Sequence, residues 1–198
     1  IHKVHPTLPV FLLGESMGGA IALRVTSLHP ELIDGLISSV PAGDRFKQGE
    51  ARLKVALKLL TSPNKEFDVG TGVINQATNK SALKEAWSQD PLARMNLSAK
   101  DLVQFQAFMN DNHATVKLIT KTPVLMVQGR QDKLVKPQGT LSLYNKIGSK
   151  DKQMLYMENG EHLIFEEGQF DDKVIEDVDK WLNGHLVKKQ GEPAAAPK

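Results

Sequence analysis

The 198-residue sequence contains no cysteine, which excludes disulfides, thiolate metal sites and a cysteine nucleophile. That absence leaves the compartment open, because it suits the cytosol and the exterior alike. Long apolar runs are also missing: none approaches the roughly 18 residues that a membrane-spanning helix needs. Nor is there an excess of one charge. The chain carries 25 basic and 23 acidic residues, a formal net charge of +2, and neither sign forms a run, so no phosphate-binding stripe and no nucleic-acid partner are expected. The leading residues, Ile1 to His5, lack an initiator Met, a basic n-region and an apolar h-region. No targeting signal is visible there, and the start reads as one inside a longer protein. What remains is the composition of an ordinary globular chain, long enough for one sizeable core.

Short apolar runs bounded by Gly and Pro alternate with segments of helical spacing. Pro9 to Leu13 (PVFLL) reads as a buried parallel strand ending at Gly14. From Met17, Ala20, Ile21, Leu23, Val25 and Leu28 continue as a helix that stops at His29 and Pro30. A second strand is expected over Gly35 to Ser39, a third over Pro123 to Gln128 (PVLMVQ) and a last over Gln153 to Met157. Helices are expected over Thr140 to Ile147 and Phe170 to Leu186. Between the second and third strands the pattern is helical, at Arg52–Leu60, Ser81–Trp87 and Ser98–Asn112, the last with Ser98 as N-cap. No strand is evident from Arg45 to Leu118. The resulting organisation is an α/β core over 1–43, a helical insertion over 44–120, the rest of the core over 121–187, and a polar, Ala- and Pro-rich disordered tail over 188–198.

Gly14-Glu15-Ser16-Met17-Gly18 is a G-x-S-x-G string lying between a strand and a helix, the setting in which it forms a nucleophile elbow. Such a turn strains the serine backbone, and Gly14 and Gly18 are expected to be glycines because a side chain at either would collide with neighbouring backbone. The Ser16 hydroxyl is then exposed at the carboxyl end of a strand, and the Met17 N–H points to where an oxyanion would develop. The bland alternative is an ordinary strand-to-helix turn with Ser16 as N-cap.

A serine nucleophile needs a histidine base and a carboxylate to orient it. Asp132 lies just past the third strand, where open α/β sheets place their sites, although an Asx turn would also account for it. His162 follows the last strand, with Leu163, Ile164 and Phe165 behind it as anchors. The order Ser16, Asp132, His162 is the order of α/β-hydrolases. Glu158 is the nearest rival acid. His2, His5, His29, His113 and His185 sit in the leading segment, at helix ends or within helices, where structural or exposed roles suffice. No metal or organic cofactor is required.

At GESMGGAIAL, GRQDKLV and NGEHLIF the chain resembles the monoacylglycerol lipase and lysophospholipase branch of the α/β-hydrolases, also grouped with serine aminopeptidase-like hydrolases. The resemblance implies a parallel sheet with helices on both faces and Ser16, Asp132 and His162 as nucleophile, acid and base. It also implies Met17 N–H as one oxyanion donor and a helical cap, roughly Asp44 to Thr120, over the acyl pocket. Leu53, Leu57, Phe105, Phe108 and Met109 are candidate acyl contacts in that cap, although apolar stripes of this kind more often form helix core.

Family members carry strands before the elbow that supply a second oxyanion donor. Those strands are absent from this chain, and the remaining front part of the fold is expected elsewhere. Losing one donor costs on the order of a hundred- to a thousandfold in rate.

The activity implied is hydrolysis of a monoacylglycerol or similar single-chain lipid ester, in the cytoplasm or with peripheral membrane contact. The three residues do not separate this from lysophospholipid, short-chain or aromatic ester, or peptide substrates. A hydrolase fold that only binds ligand is the non-enzyme alternative.

Overall fold

Strands alternate with helices along most of the chain, as the change from short apolar runs to 3.6-residue spacing requires. The computed structural model describes residues 1, 3–45, 48–166 and 168–190, with the main chain alone for 48–54 and 187–190. In order, the first half comprises β1 (Phe11–Glu15), α1 (Met17–Leu28), β2 (Gly35–Ser39), α2 (Gln48–Thr61), β3 (Glu66–Asp68), α3 (Gly70–Ala77) and α4 (Ser81–Gln89). The second half comprises β4 (Asn96–Ser98), α5 (Ala99–Thr115), β5 (Val124–Gly129), α6 (Pro137–Lys146), β6 (Lys152–Met157) and α7 (Asp172–Gln190). Among these helices none is long and apolar enough to cross a membrane.

β1, β2, β5 and β6 form one sheet in the order β1-β2-β5-β6, all parallel. β2 and β5 lie in its middle and are buried along their whole length. Successive residues of a strand face opposite sides, so each of the two feeds two cores. Leu36, Val124 and Met126 pack with Ala22 and Leu23 of α1 and with Val116, Ile119, Leu143 and Ile147 on one face. Ile37, Leu125 and Val127 pack with Val174, Val178 and Trp181 of α7 on the other. Each such buried aliphatic side chain contributes about 1.5–3 kcal/mol relative to exposure. An edge-to-face contact between Phe11 and Trp181, with centroids 5.9 Å apart, ties β1 to α7. The result is a parallel sheet with helices on both faces, and all four strands end on the same side.

Between β2 and β5 the chain differs from the expectation of helices alone. β3 and β4 pair as a short antiparallel ribbon, and three-residue strands are too short for periodicity to reveal. No helix was expected at α3, whose sequence (GTGVINQA) is short and lacks a broad apolar stripe. α5 begins at Ser98 as expected: the Ser98 hydroxyl accepts from Asp101 N–H at 3.1 Å, and the Asp101 carboxylate accepts from Ser98 N–H at 3.0 Å. This reciprocal capping box satisfies two otherwise orphan amides. α5 rests on α1, where Asn112 donates to Ala20 C=O at 2.9 Å and accepts from Arg24 Nε at 2.8 Å. α7 runs on to Gln190, so the first residues of the expected tail are helical. Residues 191–198 of that tail lie outside the described residues, as does His2.

Candidate active site

β1 ends and α1 begins with a single residue, Ser16, between them. Its backbone has φ 55° and ψ −116°, a conformation that costs a non-glycine residue about 1–3 kcal/mol and persists only where the surroundings enforce it. They do so here: Ser16 N–H donates to Ser39 C=O at 3.0 Å, and Ser16 C=O accepts from Ala42 N–H at 2.8 Å and Ala20 N–H at 3.1 Å. Val40, also at positive φ (37°), turns the chain past β2 so that Ala42 reaches the serine carbonyl. The Ser16 side chain makes no cap hydrogen bond to α1, which removes the N-cap alternative. Met17 opens α1, so its N–H has no carbonyl one turn back within the helix.

The glycines divide differently from the expectation. A Cβ on Gly14 would run into the carbonyl of Gly18, with the Gly18 carbonyl carbon at 2.5 Å and Gly19 N at 2.9 Å. A Cβ on Gly18 would meet nothing within 4 Å, because that position faces the open cavity beside Ser16. The second crowded position is Gly19, whose Cβ would lie 2.7 Å from Ser39 O and 3.0 Å from Gly14 O. Close packing of helix on strand constrains residues 14 and 19, and residue 18 is unconstrained.

Asp132 and His162 meet Ser16 at the carboxyl ends of the strands. His162, fully buried, places Nε2 2.8 Å from Ser16 Oγ and Nδ1 2.9 Å from Asp132 Oδ2. A carboxylate can only accept, so Nδ1 carries the proton and Nε2 is left to accept from the serine hydroxyl. Asp132 is both Asx turn and partner of the imidazole. Its Oδ1 accepts from Leu134 and Val135 N–H at 2.8 and 2.9 Å, while Oδ2 faces the histidine and Gln128 Nε2 at 3.3 Å. Gln128 is itself held by the Thr140 hydroxyl at 2.5 Å. Glu158, the rival acid, pairs instead with Arg130 at 2.5 Å on the surface.

Two further carboxylates grip the loop that carries His162. Glu15 Oε2 accepts from Ile164 N–H (2.9 Å), Phe165 N–H (3.1 Å) and the Ser39 hydroxyl (3.0 Å). Burial pushes its carboxyl above the ordinary range, against the lowering effect of those donors and of His162. Glu161 accepts from the Thr78 hydroxyl at 2.7 Å and from the Asn79 backbone and side chain. Burial acts to raise the Glu161 carboxyl, but the bonds from Asn79, Thr78 and Gln169 outweigh it and hold it below the ordinary range. His162 N–H also donates to Ala77 C=O at 3.1 Å, so the end of α3 is attached to the same loop. These attachments escape a sequence reading because their partners are remote along the chain.

A cavity of about 480 Å³ opens beside Ser16, lined by Glu15, Met17, Gly18, Leu163 and Glu166 and by Leu83, Ala86, Trp87 and Asp90 at α4. Its apolar wall comes mostly from α4, with Leu163 and Met17 completing it. Of the candidate acyl contacts, Leu57 is 64% exposed, and Phe105, Phe108 and Met109 pack on Ala20 and Ala42 between α5 and α1. The Leu53 side chain lies outside the described residues. The helical spacing at Ser81–Trp87 was the signal that could have pointed to α4, but spacing alone does not say which insertion helix faces the serine.

A parallel sheet carrying a strained serine at a strand end, hydrogen-bonded to a buried histidine and aspartate from later strands, is the arrangement of an α/β-hydrolase. The chain belongs to the serine aminopeptidase S33 family, whose sequence model matches residues 1–169. It is 30% identical over 194 residues to monoglyceride lipase of Mus musculus, which covers 94% of this chain and 62% of that protein. To phospholipase YtpA of Bacillus subtilis (strain 168) it is 31% identical over 169 residues, covering 83% of this chain and 64% of that one. The chain thus spans less than two thirds of the length of these relatives. Among solved structures, a soluble variant of Saccharomyces cerevisiae monoglyceride lipase superposes with a TM-score of 0.77 at 24% identity, covering 93% of this chain and 64% of that one. Paleococcus ferrophilus monoacylglycerol lipase superposes with a TM-score of 0.74 at 23% identity, covering 92% and 71%. These structural likenesses speak to the fold.

Proposed function

We propose that this chain carries the nucleophile, base and acid of a serine hydrolase that cleaves a monoacylglycerol or a similar single-chain lipid ester. The observation that carries the proposal is the line of hydrogen bonds from Ser16 Oγ through His162 to Asp132, at 2.8 and 2.9 Å, with the N-cap alternative removed. His162 Nε2 takes the hydroxyl proton as Ser16 Oγ attacks the ester carbonyl, and Asp132 stabilises the imidazolium. The Met17 N–H, at the positive end of α1, donates to the oxyanion. Collapse breaks the carbonyl–alkoxy bond, and the alcohol leaves with the proton from His162. Water, activated in turn by His162, attacks the acyl-serine and releases the acid.

The lipid substrate is supported by the monoglyceride lipases among the relatives and by an apolar wall of Leu83, Ala86, Trp87 and Leu163 beside the serine. α2 to α5 are then the cap over the acyl chain. The relation to phospholipase YtpA favours a second reading, a lysophospholipid substrate for the same three residues. A turnover panel of monoacylglycerols, lysophospholipids and short p-nitrophenyl esters separates the two. Ser16→Ala is expected to abolish turnover of every ester hydrolysed by the parent, a loss on the order of 10⁶-fold. Unchanged turnover in that variant would remove the proposal.

A further inference from the structure

Glu15 stands between the elbow glycine and the serine, a position at which the G-x-S-x-G pattern specifies no residue. One of its carboxylate oxygens accepts three hydrogen bonds, from Ser39 at the end of β2 and from the consecutive amides of Ile164 and Phe165. Those amides lie two and three residues past His162, so a side chain of the nucleophile strand holds the loop that carries the base. An oxygen that accepts three times carries no proton itself, and those three donors, with His162, favour the ionised carboxylate against the effect of its burial. The group is half-buried, where charge is screened less than on the surface.

Among the described residues, the charged groups facing His162 are few. Asp132 bonds its Nδ1 from the loop after β5. Glu15 on β1, Asp90 at the end of α4 and Glu166 on the following loop line the cavity before it, and none of the described cavity-lining residues is basic. Glu161 is engaged by Thr78 and Asn79, Lys133 reaches Asn79 at 3.4 Å, and Lys80 bonds Gly168 C=O.

We propose that Glu15 is a positioning residue for the base. It bridges the elbow to the 163–165 loop so that the imidazole stays within reach of Ser16, and its negative charge favours the imidazolium formed during reaction. This rests on the ester-hydrolase reading of Ser16, and two substitutions take its parts separately. Glu15→Gln keeps the reach and loses the charge. Its kcat is expected to fall on the order of tenfold with KM little changed, and the acid limb of its kcat/KM profile moves to lower pH, since an imidazolium without that charge gives up its proton more readily. Glu15→Asp keeps the charge but is one methylene too short to bridge, so kcat falls while the acid limb stays near that of the parent.

Both profiles are measured on a soluble p-nitrophenyl ester, beside Ser16→Ala and thermal melts. An acid limb in Glu15→Gln that coincides with the parent's overturns the role of the charge, and full kcat in Glu15→Asp overturns the bridge. A shift confined to the melts leaves Glu15 as structural cement and overturns both. Turnover surviving in Ser16→Ala would instead strike the hydrolase reading itself.

Discussion

At the level of single residues, the meeting of Ser16, Asp132 and His162 at the strand ends was legible in the sequence. Ser16 follows from a strand, a glycine-bounded turn and a helix, and Asp132 and His162 follow from their places after strand ends. Glu15 and Glu161 were not legible, because what they do depends on Ile164, Phe165, Thr78 and Asn79, which only tertiary contact brings near. The glycines mark the boundary between the two kinds of knowledge. Motif logic assigns the steric constraint to Gly14 and Gly18, whereas the packing of α1 on β1 and β2 puts it on Gly14 and Gly19. Gly19→Ala should therefore destabilise the protein by about 1–3 kcal/mol, the usual cost of overpacking. Gly18→Ala should be neutral or stabilising by up to about 1 kcal/mol, because alanine favours helix over glycine. Urea unfolding midpoints check both, and the reverse order would contradict the geometry.

Among the elements, the four sheet strands and the helices flanking them were readable because each is a run of one pattern, most of them closed by Gly or Pro. β3 and β4 were too short to register, and α3 too polar. The orientation of the insertion was the larger gap, since several helices with apolar stripes compete for the place beside Ser16 and their burial depends on how they pack. α5 is fixed to α1 through Asn112 and Arg24, which leaves α4 as the wall. Trp87→Ala should cut kcat/KM on long-chain esters by roughly tenfold to a hundredfold, the scale of lost apolar contact in a pocket, while hydrolysis of p-nitrophenyl acetate changes little. Leu57→Ala, at an exposed position on α2, should leave both substrates as they are. Equal losses in the two variants would move the acyl site away from α4.

Across the whole molecule, the segment between β2 and β5 and the sheet meet at the loop that carries His162. Ala77, Thr78 and Asn79 hold His162 and Glu161 on one side, and Glu15 holds residues 164 and 165 on the other. Because the Glu161 carboxyl is held below its ordinary range, its bonds stabilise the fold above that range and are lost as pH falls through the depressed value. Melting temperatures of the parent and Glu161→Gln should differ at neutral pH and converge in acid. A constant difference across that window would show that the carboxylate's charge is not what joins the two parts.

The central claim is that Ser16, driven by His162, is the atom that attacks. Labelling with a fluorophosphonate, followed by mass spectrometry of the peptide that contains residue 16, tests it most directly. A single adduct on Ser16, absent from Ser16→Ala and formed far more slowly in His162→Ala, is the predicted result. An adduct that persists in Ser16→Ala, or that maps to another residue, would contradict it.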